Sequence, residues 1–532
     1  MATLSNTFPR ARAANPEAIN PWLIAGTVML ATFMEVLDTS VANVALPHIA
    51  GSLSSTAEEA TWVLTAYLVA NAIVLPMSGW FSSLFGRKRF YMACVLLFTV
   101  SSALCGFAPS LGMLILFRIM QGLGGGALQP ISQAIMRESF PQDKQGMAMA
   151  MYGMGVVFAP VIGPTLGGWL TDNYSWHWIF LINIPVGALS LFLTSMIVHD
   201  PPYLKRTSLR GGDSIDYVGI GFLVLGLGAL EITLDEGQRN DWFSSNLIVG
   251  ASIIAIISIL GIIFWELNHK HPIIDLRLLK DRNFAVSTLN MFVLGFILYG
   301  STMVIPLFLQ TLLGYTATQS GMALSPGGIV IMAMMPVVGA LLSRYQARWL
   351  VIFGMIMSSM GLFMMRGWTT EIAFSNAVTA RMVQSLGLAF LFVPLNTIAF
   401  ASIPREKTGY ATGLMNLARN IGGSTGIAMV TTLLARRQQY HQSVLVAHLT
   451  PYDPAYQNSL QGLTAKLMQG GVDAVRAAQQ AQGMIYGMVQ RQSAMLAFVD
   501  AFYLLGIIFL CLIPLMFLIK KVKVSKEHMI AE

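Results

Sequence analysis

The chain has 532 residues, of which 55% are hydrophobic and only 11% are charged. A water-soluble domain carries about 25% charged residues, so this composition, with a mean hydropathy of +0.64, excludes a soluble globular protein. The net charge of +7 does not indicate nucleic-acid binding, because the basic residues lie in short loops between apolar segments, where membrane topology explains them.

Fourteen segments are apolar and long enough to cross a bilayer as helices, since a spanning helix needs about 20 predominantly apolar residues. In chain order, these predicted helices 1 to 14 cover residues 22–46, 60–82, 90–108, 112–136, 147–170, 176–198, 215–234, 246–265, 284–307, 320–342, 349–366, 376–400, 409–434 and 494–518. The sequence therefore predicts an all-α integral membrane protein with fourteen transmembrane helices.

The basic residues predict the orientation of these helices. If the N-terminus is cytoplasmic, about 22 of the 32 Lys and Arg residues fall on the inside and about 7 on the outside. Cytoplasmic loops carry such an excess, so both termini are predicted to be cytoplasmic. The long outside loop, 435–493, contains two amphipathic stretches, 457–468 and 472–489. They fit either surface helices or a solvated loop.

An internal repeat relates the two ends of the chain. Predicted helix 4 contains Arg118-Ile-Met-Gln121-Gly122, and predicted helix 12 contains Arg381-Met-Val-Gln384-Ser385. We therefore expect a cytoplasmic tail (1–21), an N-terminal six-helix half (22–198), an inserted helix pair with its loops (199–266), a C-terminal six-helix half (267–518) and a second cytoplasmic tail (519–532). Repeated halves around a central site are typical of transporters.

Charged groups within the spans are the first candidates for function, because each costs about 2.5–3.5 kcal/mol on insertion scales. Glu35 and Asp38 lie three residues apart, and hence on one face of predicted helix 1. Asp38 and Arg118 have similar depths, so we expect them to pair. Glu35 has no equally obvious partner and is a second candidate for carrying protons. The alternative is a static ion pair that only joins two helices.

Other polar groups within the spans are weaker candidates. Arg381 has no acidic counterpart in predicted helix 9, and Asp500 is its possible partner. Five side chains could line a substrate cavity or equally satisfy contacts between helices, namely Asn43, Asn71, Gln129, Arg381 and Asn396.

Two glycine-containing segments stand apart from ordinary apolar spans. Predicted helix 5 contains a run of glycines and prolines that favours close helix contact and bending, Gly155, Pro160, Gly163, Pro164, Gly167 and Gly168. The loop after predicted helix 2 places Gly79 and Gly86 seven residues apart, and Arg87 and Lys88 follow. The basic residues alone fit an ordinary cytoplasmic loop, but the paired glycines do not follow from that explanation.

These motifs resemble those of a known family. Arg118-x-x-Gln121-Gly122, the 155–168 segment and the 79–88 loop resemble three signatures of the major facilitator superfamily. Residues 37–47 (LDTSVANVALP) resemble the helix 1 signature of its fourteen-span drug/proton antiporters, and the 155–168 segment is similar to the signature linked with antiport.

The resemblance implies the major facilitator fold, with two six-helix pseudo-repeats and two inserted helices. It implies proton-driven export of hydrophobic drugs and toxins across the bacterial inner membrane, with the proton gradient as energy source and no cofactor. Asp38 would couple to protons with Arg118 as its partner. The residues of a cytoplasmic gate would be Gly79, Gly86, Arg87 and Lys88. A periplasmic adaptor of the EmrA type and a TolC-like outer-membrane channel would complete the route. At Ser83 the chain departs from the family, whose gate loop usually has an acidic residue there.

Two other functions remain open at this point. A dedicated exporter of one metabolite, siderophore or fatty acid would use the same scaffold. A multispan membrane enzyme would need a catalytic cluster in a loop. The eight histidines show no metal-ligand spacing, and acidic residues such as Glu58 and Glu59 are more simply explained as solvated helix ends. We therefore predict no catalytic residue and no metal site.

Overall fold

The computed structural model describes residues 20–141, 144–200, 216–269, 272–342, 344–447 and 449–520. Within these ranges the protein is made of α-helices joined by turns and short 3₁₀ segments. The predicted cytoplasmic tails fall almost wholly outside the described residues, as does the 201–215 part of the predicted insertion.

The first part of the chain forms eight helical segments, which we call the N-terminal half. They are α1 (Pro21–Ser52), α2 (Ala57–Phe85), α3 (Arg87–Gly106), α4 (Leu111–Gly125), α5 (Leu128–Ser139), α6 (Gln145–Asn173), α7 (Trp178–Leu181) and α8 (Asn183–Ile197). Predicted helix 4 is divided at a turn into α4 and α5, and predicted helix 6 is divided into α7 and α8.

The remainder of the chain has two central helices and seven that we call the C-terminal half. The central helices are α9 (Tyr217–Glu236) and α10 (Asn246–Asn268), and the others are α11 (Arg282–Thr311), α12 (Ala317–Leu341), α13 (Ala347–Arg366), α14 (Phe374–Phe400), α15 (Thr408–Val446), α16 (Pro454–Gln469) and α17 (Ala474–Met516). The amphipathic stretches of the long loop are helical. The first forms α16, and the second forms the beginning of α17.

The count of fourteen spans is not confirmed. By length and composition, twelve helices of the described residues are able to cross a membrane, and thirteen if the bent helix α6 is one span. The longest helix outside this count is α15, which has 39 residues but carries Asn416, Arg419 and Asn420 in its first half. Its polar residues are tolerated because they face other helices rather than lipid. They make the average hydropathy of α15 too low for it to be counted as a span.

Helix α6 bends by 41° between its 145–160 and 162–173 segments. The cause is local, because a proline within a helix has no N–H to donate and its ring displaces the preceding turn. Pro164 leaves the carbonyl of Pro160 without its helical partner, and the Ser40 hydroxyl of α1 donates to that carbonyl at 3.2 Å. The bend is thus held by a contact with the neighbouring helix.

Helices from the two halves meet along several lines. α2 and α5 contact α15, and α6 contacts α12. The central helix α9 lies beside α2 and α15, where Asp235 accepts a hydrogen bond from Thr65 and Trp242 donates to Thr432 at 3.0 Å. Residues on α1, α2 and α5 therefore lie within reach of the C-terminal half.

Candidate functional site

Asp38 is buried on α1 and pairs with Arg118 of α4, as the sequence predicted. The Arg118 guanidinium donates to the carboxylate at 2.5 Å. The amides of Gln121 and Asn183 donate to its other oxygen at 2.9 and 2.8 Å. Asp38 is 3% exposed and Arg118 0%. The charge is therefore held by donors from α4 and α8, within the N-terminal half.

Arg118 is fixed from several directions. Its Nε donates to the carbonyl of Val63 at 3.0 Å, and its guanidinium lies over the Tyr67 ring at 4.2 Å. Its Nη1 also donates to Gln121 at 2.8 Å. A cation over an aromatic face gains from the ring quadrupole, more so away from water. Arg118 and Asp38 thus form one rigid cluster.

Glu35 lies one turn earlier on α1 and has a separate set of partners. The Tyr67 hydroxyl and the Asn71 amide donate to one carboxylate oxygen, each at 3.1 Å. The Gln129 amide of α5 donates to the other oxygen at 2.7 Å. Glu35 is 3% exposed. Three donors match the ionised form, because an ionised carboxylate only accepts hydrogen bonds.

The Glu35 cluster connects the two halves of the molecule. Gln129 donates to Glu35 through its nitrogen and accepts a hydrogen bond from Arg419 of α15 through its oxygen. Asn71 likewise accepts from Asn420 of α15 at 3.3 Å. A change at Glu35 therefore reaches the C-terminal half through a single intervening side chain.

A second polar bridge joins α5 to the C-terminal half. Gln133 donates to Asn396 of α14 at 2.6 Å and accepts from Asn416 of α15 at 2.8 Å. Of the candidate cavity residues, Asn71, Gln129 and Asn396 are thus buried in contacts between helices. Asn43 is exposed and donates to the carbonyl of Thr39, one turn earlier on α1.

The predicted pairing of Arg381 with Asp500 is wrong. Asp500 accepts from Arg437 at 2.5 Å and hydrogen-bonds His441 at 2.8 Å, both on α15. The depth of a residue along its helix does not determine which neighbour it faces, and Asp500 faces α15. Arg381 is buried at 2% exposure and donates to Gln384 at 2.8 Å and Thr302 at 3.4 Å.

The predicted gate residues lie where α2 ends and α3 begins, and they join these two helices to α5, α8 and α15. A Cβ on Gly79 would come within 2.6 Å of the Tyr410 nitrogen, so α2 and α15 touch backbone to backbone here. Gly86 has φ +87°, a conformation that favours glycine. Arg87 is buried and paired with Glu138 of α5. Lys88 donates through Nζ to the Ser195 carbonyl of α8 at 2.7 Å.

The glycines of α6 form its contact with α1. A Cβ on Gly163 would lie 2.3 Å from the Ser40 hydroxyl, and one on Gly167 would lie 2.9 Å from Val41. A Cβ on Gly155 would lie 2.1 Å from the terminal methyl of Met29, a flexible side chain that can move aside, and one on Gly168 would lie 3.9 Å from Val44, an ordinary contact. The two helices therefore approach too closely for a side chain at Gly163 and Gly167.

Comparison with known proteins decides the family. The family model described as Major Facilitator Superfamily matches residues 28–427. The chain belongs to the major facilitator superfamily. The multidrug export protein EmrB of Escherichia coli K12 is 36% identical over 493 residues, which cover 92% of this chain and 94% of that protein. The fatty acid resistance protein FarB of Neisseria gonorrhoeae is 37% identical with the same coverage.

Solved structures of this superfamily agree in fold. The proton:xylose symporter XylE, bound to 6-bromo-6-deoxy-D-glucose, matches with a TM-score of 0.57 at 14% identity, covering 93% of this chain and 96% of that one. The family model and these relatives show a multi-pass membrane transporter and not an enzyme. Among the described residues, no group of His, Cys, Asp and Glu side chains is arranged to hold a metal ion.

Several residues of the site were not predicted from the sequence. Tyr67, Asn183 and Arg419 carry no motif that assigns them to Glu35 or Asp38. An arginine within an apolar span is itself a signal, and Arg419 was visible in that sense. Its connection to Glu35 depends on how α5 and α15 face each other.

Proposed function

We propose that this chain is a proton-driven exporter of hydrophobic compounds in the bacterial inner membrane, similar in role to EmrB. The observation that carries the proposal is the buried carboxylate of Glu35, linked through Gln129 to Arg419 of the opposite half. Antiport requires one protonatable group whose state changes the contact between two halves, and Glu35 has that position.

Protonation of Glu35 would alter this contact directly. The ionised carboxylate accepts from Tyr67, Asn71 and Gln129. When either oxygen is protonated, its O–H group is a donor that points at another donor. One of these hydrogen bonds then has to break or reverse its direction. If Gln129 turns, its oxygen leaves Arg419, and the buried guanidinium loses an acceptor. Proton binding thus weakens one contact between the halves and favours their separation.

Asp38 and the gate have complementary roles in this proposal. Asp38 couples to protons through Arg118, whose charge competes with a proton for the carboxylate. Gly79, Gly86, Arg87 and Lys88 form the cytoplasmic gate, where α2 closes on α15. Ser83 stands in place of the family's acidic residue, so the buried pair of Arg87 with Glu138 supplies the charge interaction of this gate.

The remaining features of the resemblance belong to the same proposal. We infer fourteen spans, with α6 crossing as one bent helix and α15 as a span whose polar residues face protein. We also infer the division into 1–21, 22–198, 199–266, 267–518 and 519–532, with both tails cytoplasmic. In this topology α16 and the first part of α17 form a helical extension outside the membrane, which would be a suitable surface for an EmrA-type adaptor leading to a TolC-like channel.

A dedicated exporter is the second candidate. The fatty acid resistance protein FarB is 37% identical to this chain, and EmrB is 36% identical. An exporter of fatty acids or of another single amphiphile would use the same proton coupling. The two candidates differ only in the range of compounds transported.

The proposal is tested by transport in proteoliposomes. Wild-type protein should export a neutral hydrophobic dye when a pH gradient is imposed, and Glu35→Gln should lose this gradient-driven export. Exchange of dye without a gradient should persist in Glu35→Gln, because exchange needs alternation but no proton. Asp38→Asn is measured beside it to compare the two carboxylates.

The outcomes separate coupling from general damage. Loss of both export and exchange would mean that the variant cannot alternate. Undiminished gradient-driven export in both Glu35→Gln and Asp38→Asn would overturn proton coupling through either group. Export of fatty acids alone, among a panel of dyes and amphiphiles, would favour the dedicated exporter.

A further inference from the structure

The internal repeat places a second arginine cluster in the C-terminal half. An offset of 263 residues maps Arg118 onto Arg381, Gln121 onto Gln384 and Asp38 onto Ser301. The contacts follow the same pattern, because Arg381 donates to Gln384 at 2.8 Å and the Gln384 amide donates to Ser301 at 2.9 Å. The C-terminal cluster therefore repeats the N-terminal one with a hydroxyl where the carboxylate stands.

This substitution leaves a buried positive charge without a negative partner. Arg381 is 2% exposed, and none of the ion pairs of the described residues involves it. Buried charges are ordinarily paired, because removing a charge from water is costly. Neutral oxygens of Gln384 and Thr302 are its acceptors here.

Two donors of the cluster also lack acceptors. Arg381 Nε and the Ser385 hydroxyl are both buried, with no hydrogen-bond partner. They lie on the same side, facing Gly327 of α12, where a Cβ would be 2.5 Å from the Ser385 oxygen and 3.4 Å from Arg381 Nε. A guanidinium edge beside a hydroxyl is the donor arrangement that binds a carboxylate.

We propose that Arg381, with Ser385 and Thr302, binds the anionic head group of an amphiphilic ligand, with a fatty-acid-like carboxylate as the transported form. The inference rests on the proposed export function and specifies one class of its substrates. The ligand carboxylate supplies the negative charge that Asp38 supplies in the N-terminal half. In the present conformation α12 covers the site, so a ligand enters when α12 moves away from α14.

Helix α12 is suited to uncover this site. Pro326 precedes Gly327 and interrupts the helical hydrogen bonds at that level. The same helix contacts α6 of the N-terminal half along its length. Because α12 packs against both α6 and α14, a displacement of α6 acts directly on the helix that covers Arg381.

The test compares three ten-carbon amphiphiles with one tail and different heads. Decanoate, decanol and decyltrimethylammonium are titrated into purified protein in nanodiscs of zwitterionic lipid, at a pH where decanoate is ionised. Wild-type protein should bind decanoate about tenfold more tightly than decanol, as one charge-assisted contact provides. Arg381→Gln should remove that preference, and Arg381→Lys should retain part of it.

Two further variants keep the test independent of misfolding. Ser301→Asp supplies the carboxylate that the N-terminal half has, so it should abolish the preference for decanoate while the arginine stays in place. Arg366→Gln removes an exposed arginine of α13 and should leave the preference unchanged. An unchanged preference in Arg381→Gln or in Ser301→Asp would overturn the proposal.

The source of the anion is resolved in a parallel titration. The preference for decanoate should be lost in nanodiscs that contain phosphatidylglycerol if a lipid head group fills the site. It should stay intact if the site binds only transported carboxylates. Binding is measured without a pH gradient, so it does not depend on proton coupling. Failure of gradient-driven dye export in wild-type protein would refute the proposed function separately.

Discussion

The carboxylate of Asp38 shows what a buried charge needs in order to be stable. It accepts from Arg118, Gln121 and Asn183, and Arg118 is further held by Val63 and Tyr67. A buried ion pair adds stability only when other hydrogen bonds satisfy both partners. Removal of one member therefore leaves the other as an uncompensated charge.

We predict that Asp38→Asn lowers the free energy of unfolding by about 3 kcal/mol, because Arg118 then remains buried without a counter-charge. The double variant Asp38→Asn with Arg118→Gln should recover part of this loss. Thermal unfolding of the purified protein measures both. Asp172→Asn, at an exposed carboxylate, is the control and should change little. A full-stability Asp38→Asn protein would contradict the prediction.

At this scale the sequence predicted one of the two carboxylate environments. Asp38 and Arg118 could be matched because both are charged and lie at similar depth. The partners of Glu35 are neutral residues on α2 and α5, and nothing in a single sequence marks Tyr67 or Gln129 as facing α1. The error at Asp500 has the same origin. The sequence indicated how deep Asp500 lies in the membrane, but not which neighbouring helix it faces.

Among the elements, α6 carries the most specific sequence signal. Its glycines and prolines predicted close contact and bending, and the structure has both, with Ser40 of α1 donating to the carbonyl exposed by Pro164. The segments of the helices were also predictable from length and hydropathy. The count of fourteen is not confirmed, because α15, which the sequence predicts as a span, is too polar on average to be recognised as one by its composition.

We predict different effects for two alanine substitutions about one and a half turns apart on α6. Gly163→Ala should destabilise the protein by about 1–3 kcal/mol through overpacking, because the new Cβ would lie 2.3 Å from Ser40. Gly168→Ala meets only ordinary contact at 3.9 Å and should be neutral or stabilising by up to about 1 kcal/mol. Thermal unfolding distinguishes them, and equal effects would contradict the close contact with α1.

For the whole molecule, the decisive contacts are those between the halves. Gly79 brings α2 against the backbone of α15, while Gln129 and Gln133 connect α5 to α14 and α15. The sequence predicted two related halves from the repeated arginine motif. It did not predict how they meet, because these contacts depend on the relative rotation of helices that are apolar on most sides.

We predict that Gly79→Ala prevents closure at this end of the molecule. The Cβ would approach the backbone of Gly409 and Tyr410 to 2.6–2.8 Å, and backbone cannot move aside as a side chain can. A cysteine in place of Ser82, which is 2% exposed, should react faster with a thiol reagent in the Gly79→Ala protein, in a background where Cys511 is serine. Gly26→Ala, which meets nothing within 4 Å, is the control. Equal reactivity in all three proteins would contradict the prediction.

The length of α17 has a mechanical consequence. Its 43 residues extend about 64 Å as a continuous helix, whereas the hydrocarbon core of a bilayer is about 30 Å thick. In the proposed topology, the helix that anchors in the C-terminal half therefore extends well beyond the membrane surface, with α16 beside it. If that half tilts, the end of α17 outside the membrane moves further than residues close to the axis of rotation. Under the proposed coupling, a small rearrangement around Glu35 would thus become a large displacement outside the membrane.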